Sequence, residues 1–321
     1  MKFQRRIALI LLVPLLLPAA TALRAQDYPN RVIRVFATGA GGGGDIVARI
    51  VGQELTNVWG QQVVVENRNS IIANETAAKA PPDGYTLLIN STSLWLWQFL
   101  SKDPVKWDTL RDFAPVTLAI RQPNILVVHP SLPVKSVKEL IALAKARPGQ
   151  LNYATGNIGS TTHLASELFN SMAGVRIMSI YYKSTALSLT DLIGGHVHMM
   201  FSNAASVTPH MKSGKLKALA QTLMQPTELA PGLPTVAASG LPGYEAETIL
   251  GIFAPAATPP VIVHRLNQEM ARALQKTEVK NRLFNIGMES VGGAPEQLQT
   301  AVNAEIVKWG KVIKDAGIRA D

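Results

Sequence analysis

The chain contains no cysteine in 321 residues. That excludes disulfides, thiolate metal sites and cysteine nucleophiles. Charged residues make up only 17%, while 47% are apolar. Global disorder is therefore not expected, and the length accommodates two ordinary domains. Histidines number six, which leaves few candidates for base catalysis or metal ligation. No basic block occurs, although the formal net charge is +9. Without Lys2, Arg5 and Arg6 the charge falls to +6, and without Arg24 as well to +5. So mild an excess does not point to nucleic acid; it suits a protein that meets anionic small molecules and equally reads as ordinary solubility charge.

A marked apolar run stands at the N-terminus. Lys2, Arg5 and Arg6 precede apolar residues 7–17, and Ala20-Thr21-Ala22 forms an A-x-A cleavage pattern, with Ala25 as an alternative. Pro14 and Pro18 interrupt the run, which is too short for a comfortable membrane span. Residues 1–25 are expected to be a signal peptide, and the mature protein is expected in the periplasm.

The stretch Gly39-Ala40-Gly41-Gly42-Gly43-Gly44-Asp45 organises the rest of the chain. It lies between an apolar run at residues 32–37 and an amphipathic run at 46–58, as strand, glycine loop and helix start. Bare N–H groups at a helix N-terminus favour an anion. Asp45 is placed to cap that terminus. Further strands are expected at 63–66 and 85–89, ending in polar loops at 67–70 and 90–93, with a helix over 74–80. Three polar loops then meet at the carboxyl edge of a parallel sheet, where such sheets bind ligands.

A second set of elements begins near Asn124. Ser136 and Glu139 form a capping box. Residues 156–163 are a second glycine- and hydroxyl-rich loop opening a helix, and strands are expected at 177–181 and 197–201. The C-terminal third reads as helices at 261–274, 279–284 and 295–316. Two donor-rich helix starts facing each other across a cleft suit a ligand with an acidic group at one or both ends.

Competing chemistries have weaker support. Gly39, Gly41 and Gly44 match a dinucleotide fingerprint, with Glu66 ending the second strand. A glycine run matches such a pattern easily, however, and Asp45 next to the loop opposes a pyrophosphate. His196 and His198 share a face of an expected strand, but no third metal ligand is evident. Ser160 and His163 stand three apart without a nucleophile elbow or an orienting acid, a thin basis for hydrolysis. Trp95, Trp97 and Phe99 read either as core or as an indole over the cleft. Lys183 reads either as facing an anion or as a surface lysine.

Several stretches together resemble the Bug-type extracytoplasmic solute receptors of tripartite tricarboxylate transporters. They include Gly41-Gly42 with Asp45-Ile46-Val47-Ala48-Arg49, and Val64-Val65-Glu66-Asn67-Arg68. Pro82-Asp83-Gly84-Tyr85-Thr86, Asp112-Phe113-Ala114-Pro115-Val116 and Leu189-Thr190-Asp191-Leu192 add to these, as do Leu241-Pro242-Gly243-Tyr244 and Ala254-Pro255. The resemblance implies an α/β, two-domain periplasmic-binding-protein (Venus-flytrap) fold, type II-like, with two mixed sheets flanked by helices. Residues 26–124 and 249–321 would form one domain and 125–248 the other.

The same resemblance implies that a small organic carboxylate is captured, enclosed by domain closure and delivered to membrane permease subunits. Neither catalysis, cofactor nor metal is implied, and a monomer is expected. A same-fold receptor that signals through a sensor partner is the alternative, with an exported hydrolase behind it. The expected ligand-binding residues are Thr38, Gly39, Gly41, Gly42, Asp45, Ser70, Ser91, Thr92, Gly156, Ser160, Thr161, Thr162, His163, Lys183 and Asn203. The chain departs from the family pattern at residues 69–73, where the usual glycines are missing, at Ser184-Thr185, and at His198.

Overall fold

The structure, a computed structural model, describes residues 28–156, 158–182 and 185–320. The expected signal peptide and Lys183 lie outside the described residues. The chain first runs through β1 (Ile33–Thr38), α1 (Gly43–Trp59), β2 (Val63–Arg68), α2 (Ser70–Ala78) and β3 (Thr86–Asn90). Three short helical turns come next, α3 (Thr92–Trp95), α4 (Trp97–Leu100) and α5 (Thr109–Asp112), and then β4 (Phe113–Gln122). The middle section comprises β5 (Asn124–Val128), α6 (Val137–Ala146), β6 (Asn152–Thr155), α7 (Thr161–Ala173) and β7 (Met178–Tyr181). It continues with α8 (Thr185–Ile193), β8 (Met199–Asn203), α9 (Ala204–Lys212) and β9 (Lys217–Gln221). The chain ends with β10 (Thr248–Pro255), α10 (Pro260–Gln275), α11 (Thr277–Asn285), β11 (Glu289–Ser290) and α12 (Pro295–Asp315).

These strands form two mixed sheets. The first has the order β11-β4-β10-β3-β1-β2 and the second β7-β6-β8-β5-β9. Strands β1, β2 and β3 pair in parallel, and β10 runs antiparallel between β3 and β4. The three loops at the carboxyl ends of β1, β2 and β3 therefore share one edge, as the βαβ pattern requires. Helix α1 forms where the sequence is amphipathic. It buries Val47, Ile50, Val51 and Leu55, and it ends at Gly60, whose φ of 66° is the left-handed geometry glycine adopts without strain.

The chain passes from the first sheet to the second at Pro123 and returns before Thr248. Asn124 ties these two crossings together. Its backbone N–H donates to Thr222 Oγ1 at 2.9 Å, and its amide donates to the Ala246 carbonyl at 3.0 Å. The Thr222 hydroxyl donates to the same carbonyl at 2.8 Å. All are buried, where an unpaired polar group would cost about 1–3 kcal/mol.

Three details differ from the sequence expectation. Helix α2 starts at Ser70, not residue 74, because the Asn69 side chain caps it by accepting from Ile71 N at 3.0 Å. The Glu139 carboxylate of the capping box accepts from Lys135 N rather than from Ser136 N, while the Ser136 hydroxyl accepts from Glu139 N as expected. Strand β8 starts at Met199, so His196 and His198 precede it and do not share its face.

Gly251 sits in β10 between two partner strands. A Cβ there would lie 2.7 Å from Leu298 Cδ1 and 2.7 Å from the Phe253 ring. Gly251→Val should lower unfolding free energy by about 1–3 kcal/mol through overpacking. Urea denaturation checks this, and an unchanged midpoint would show that the strand relaxes freely.

Candidate functional site

The glycine loop is held from below by a buried carboxylate. Asp45 is 5% exposed. Its Oδ2 accepts from Gly41 N at 2.9 Å and its Oδ1 from Asn67 Nδ2 at 3.0 Å. Arg49 Nε lies 2.9 Å from the same Oδ1, and Arg49 also donates to Asn67. Burial would raise the Asp45 pKa. The Gly41 N–H, the Asn67 amide and the Arg49 guanidinium outweigh it and hold the carboxyl below its ordinary range. Gly39 and Gly41 take positive φ, 57° and 75°, and Gly42 N closes a tight turn on Gly39 O at 3.0 Å. With the acid turned underneath, the outer face of the loop and the first N–H groups of α1 remain for a ligand.

The loops after β2 and β3 are fixed by buried amides. Asn90 Nδ2 donates to Asn74 Oδ1 at 2.6 Å, and Asn90 Oδ1 accepts from Ser91 N and Ser93 Oγ. Asn74 Nδ2 donates to the Ser93 carbonyl. The second sheet contributes the start of α7. Ser160 caps it by accepting from His163 N, and Gly159 adopts a φ of 76°. Two bonds cross between the sheets here. Thr92 Oγ1 donates to Gly159 O at 3.3 Å, and Thr248 Oγ1 donates to Thr161 Oγ1 at 2.9 Å.

Two adjoining cavities occupy the crevice. One, of about 940 Å³, is lined by Thr38, the glycine loop, Arg68, Ser70, Ser91 and Gln122. The other, of about 650 Å³, is lined by Ile71, Trp97, Leu100 and Leu250 from the first-sheet segments and by Ile158, Ser160, Thr161 and Tyr181 from the second. Thr38, Asn69, Ser70, Ser91 and Leu250 line both. Among the described residues, the sole ionic side chain on either wall is Arg68. It pairs with Glu66 at 2.8 Å and lies over the Phe36 ring at 4.3 Å. The crevice thus combines a donor-rich part at the glycine loop with a more apolar part lined by Ile71, Trp97, Leu100, Ile158 and Leu250.

Of the residues expected from sequence, Thr38, Gly39, Gly41, Gly42, Ser70, Ser91, Thr92, Ser160 and Thr161 line this crevice. Five do not. Asp45 turns under its loop. His163 is 1% exposed and sits behind the α7 start. The Thr162 hydroxyl points to Thr155 and Ser160. Gly156 lies at the end of β6 behind Ser160, and Asn203 caps α9 by accepting from Ser206 N. The Ser160 hydroxyl contacts the backbone N of His163 and Thr162 Oγ1, while the imidazole nitrogens contact Gly159 and Tyr181. The pair is therefore not a nucleophile and base. Trp95 is fully buried beside Phe253, and Trp97 supplies the wall.

Sequence reasoning missed Asn74, Asn90, Leu100, Ile158, Tyr181 and Leu250. The two asparagines carried a signal, since each is a polar residue next to an apolar run. The apolar lining did not differ from core.

This arrangement defines a solute-binding fold, two α/β sheets with a ligand-sized crevice between them. The profile of the tripartite tricarboxylate transporter family receptor (TctC) matches residues 47–318, and the chain belongs to that family. It is 35% identical to protein BugT of Bordetella pertussis over 94% of each chain. The solved structure of Rpa4515 from R. palustris with adipate is 38% identical, with a TM-score of 0.81, covering 91% of this chain and 99% of that one. MatC from Rhodopseudomonas palustris with bound malate is 28% identical, with a TM-score of 0.77, covering 89% and 100%. The fold is that of periplasmic solute-binding proteins, as expected. Among the described residues no helix is long and apolar enough to cross a membrane.

The groups under the crevice are open to two tests. Asp45→Ala leaves the Gly41 N–H, the Asn67 amide and Arg49 without their acceptor. It should cost roughly 1–3 kcal/mol in chemical denaturation, and an unchanged stability would show that the loop holds itself. His163 is kept neutral by burial, which lowers its pKa from 6.5 to about 4. The unfolded chain takes up a proton below pH 6.5 and the folded chain does not until about 4. Stability from this group is therefore present above 6.5 and is lost as pH falls to 4, on the order of 3 kcal/mol. His163→Phe should flatten that part of the pH–stability curve relative to wild type, and parallel curves would contradict it.

Proposed function

We propose that the protein is a periplasmic receptor that captures a small organic carboxylate between its two sheets and delivers it to membrane permease subunits. The observation carrying this reading is the glycine loop, whose outward face offers N–H groups while its one acid is locked underneath. A carboxylate needs directed donors and no opposing charge, and a helix N-terminus supplies both. Family membership, and the adipate and malate held by two relatives, support the carboxylate class.

Residues 26–124 with 249–321 act as one domain and 125–248 as the other. Each carries one sheet, and they close over the ligand about the Asn124 seam. Residues 1–25 direct export, and the mature protein works as a monomer without making or breaking a covalent bond. The wall of Ile71, Trp97, Leu100 and Leu250 suits an acid with an apolar body.

A carboxylate bound only by the native state should raise the melting temperature. At one hundred times its Kd the stabilisation is about 2.7 kcal/mol. A broad acid library that produces no shift would overturn the reading. A Cβ on Gly42 would meet Gly39 O at 3.1 Å, so Gly42→Val should abolish the shift while circular dichroism stays native. A shift retained in that variant would place the site elsewhere.

A further inference from the structure

Tyr181 borders the 650 Å³ cavity on the second-sheet side, away from the glycine loop. Its hydroxyl oxygen lies 3.1 Å from His163 Nε2. The other ring nitrogen, Nδ1, receives the backbone N–H of Gly159 at 3.1 Å. An atom that accepts a hydrogen bond carries no proton, so the neutral imidazole holds its single proton on Nε2. That proton is donated to the tyrosine oxygen. The phenol's own hydrogen is then directed away from the imidazole.

The imidazole is well placed to enforce this. It packs edge-on against Tyr181, with ring centroids 5.4 Å apart, and stacks with Tyr153 at 6.5 Å. The Tyr153 hydroxyl in turn donates to Glu167. Burial keeps His163 uncharged through the neutral range. The histidine thus has one tautomer and one orientation, and the tyrosine hydroxyl is left as a directed donor. Ile71, Trp97 and Leu100 line the same cavity.

We infer that Tyr181 is a specificity-determining residue, donating its O–H to an acceptor oxygen at the ligand end remote from the glycine loop, with His163 as the positioning residue. The assignment rests on the carboxylate reading of the cleft. It narrows the ligand class to acids whose far end carries a second oxygen acceptor, such as a further carboxylate, across an apolar segment. Ser160 and Thr161, at the start of α7, line the same cavity as Tyr181 and add polar character to it.

Calorimetric titration of wild type, Tyr181→Phe and His163→Phe with paired probes tests this. The probes are straight-chain dicarboxylates from succinate to suberate, each with the monocarboxylate of equal length, together with terephthalate and benzoate. Wild type should prefer the diacid of the best-bound pair. Tyr181→Phe should weaken that diacid about tenfold, the loss expected for one hydrogen bond to a charged group, and leave the monoacid within about twofold. His163→Phe should erase the same preference. In labelled wild-type protein, 15N shifts should show Nδ1 bare and Nε2 protonated.

Equal weakening of both acids by Tyr181→Phe, or weakening of neither, overturns the tyrosine assignment and leaves the receptor reading standing. A proton on Nδ1, or a folded His163→Phe variant that keeps the preference, overturns the positioning role. If wild type binds no probe of either kind, the receptor reading itself falls.

Discussion

The cleft depends on a buried knot of hydrogen bonds around Asn124. The chain leaves the first sheet one residue before it, and the return strand begins two residues after Ala246, whose carbonyl accepts from both Asn124 and Thr222. Two crossings held side by side leave the sheets one axis about which to lie, and the loops at the carboxyl ends of β1, β3 and β6 then face a shared space. Asn124 is 1% exposed, so its amide must be satisfied inside the protein, and the groups that satisfy it belong to the segments that cross. The polar residue specifies the position of the seam, which an apolar one of similar size would not.

With the sheets so placed, the proposed anion site needs no cation of its own. Asp45 is an acid placed against an anion loop, a placement that looks self-defeating from sequence. The geometry removes the conflict, because its two oxygens are consumed by Gly41, Asn67 and Arg49. The nearby cation, Arg68, is likewise paired with Glu66. The ionic side chains around the loop are thus largely neutralised in local pairs. Oriented backbone dipoles and hydroxyls face the crevice, and these stabilise a partial or full negative charge without the desolvation cost of a buried ion pair.

Much of this is legible in the sequence, and for physical reasons. Glycine runs, strand alternation and helix caps are local, so the loop at residues 39–45, helix α1 and the second donor loop can be read directly. Orientation is not local. His163 and Asn203 read as ligand residues because they stand beside donor loops, but His163 is buried against Gly159 and Tyr181, and Asn203 caps its own helix through Ser206 N. Asn69 reads as loop, although an asparagine just ahead of an apolar run, here with Ser70 between, is a strong cap and starts α2. The apolar wall is illegible, since Leu100, Ile158 and Leu250 have the composition of core and reach the crevice by tertiary placement alone. Trp95 and Trp97 make the same point, one fully buried and the other on the wall, two residues apart.

The bonds that join the sheets at the crevice explain why such a cleft suits reversible capture. Thr92 to Gly159 and Thr248 to Thr161 are neutral, hydroxyl-donated bonds. Each contributes a net of about 0.5–1.5 kcal/mol, so together they are on the same scale as the roughly 2.7 kcal/mol that a ligand at one hundred times its Kd supplies. The Leu100 side chain against Gly159 adds a tight apolar contact, for a Cβ on that glycine would lie 2.2 Å from Leu100 Cδ1. These contacts at the crevice supplement the apolar cluster that residues of both sheets share, among them Phe36 and Leu118 of the first and Leu126 and Phe201 of the second. In the proposed cycle the ligand shifts the balance, because it touches the glycine loop on one sheet and the α7 start on the other and favours the arrangement in which both reach it.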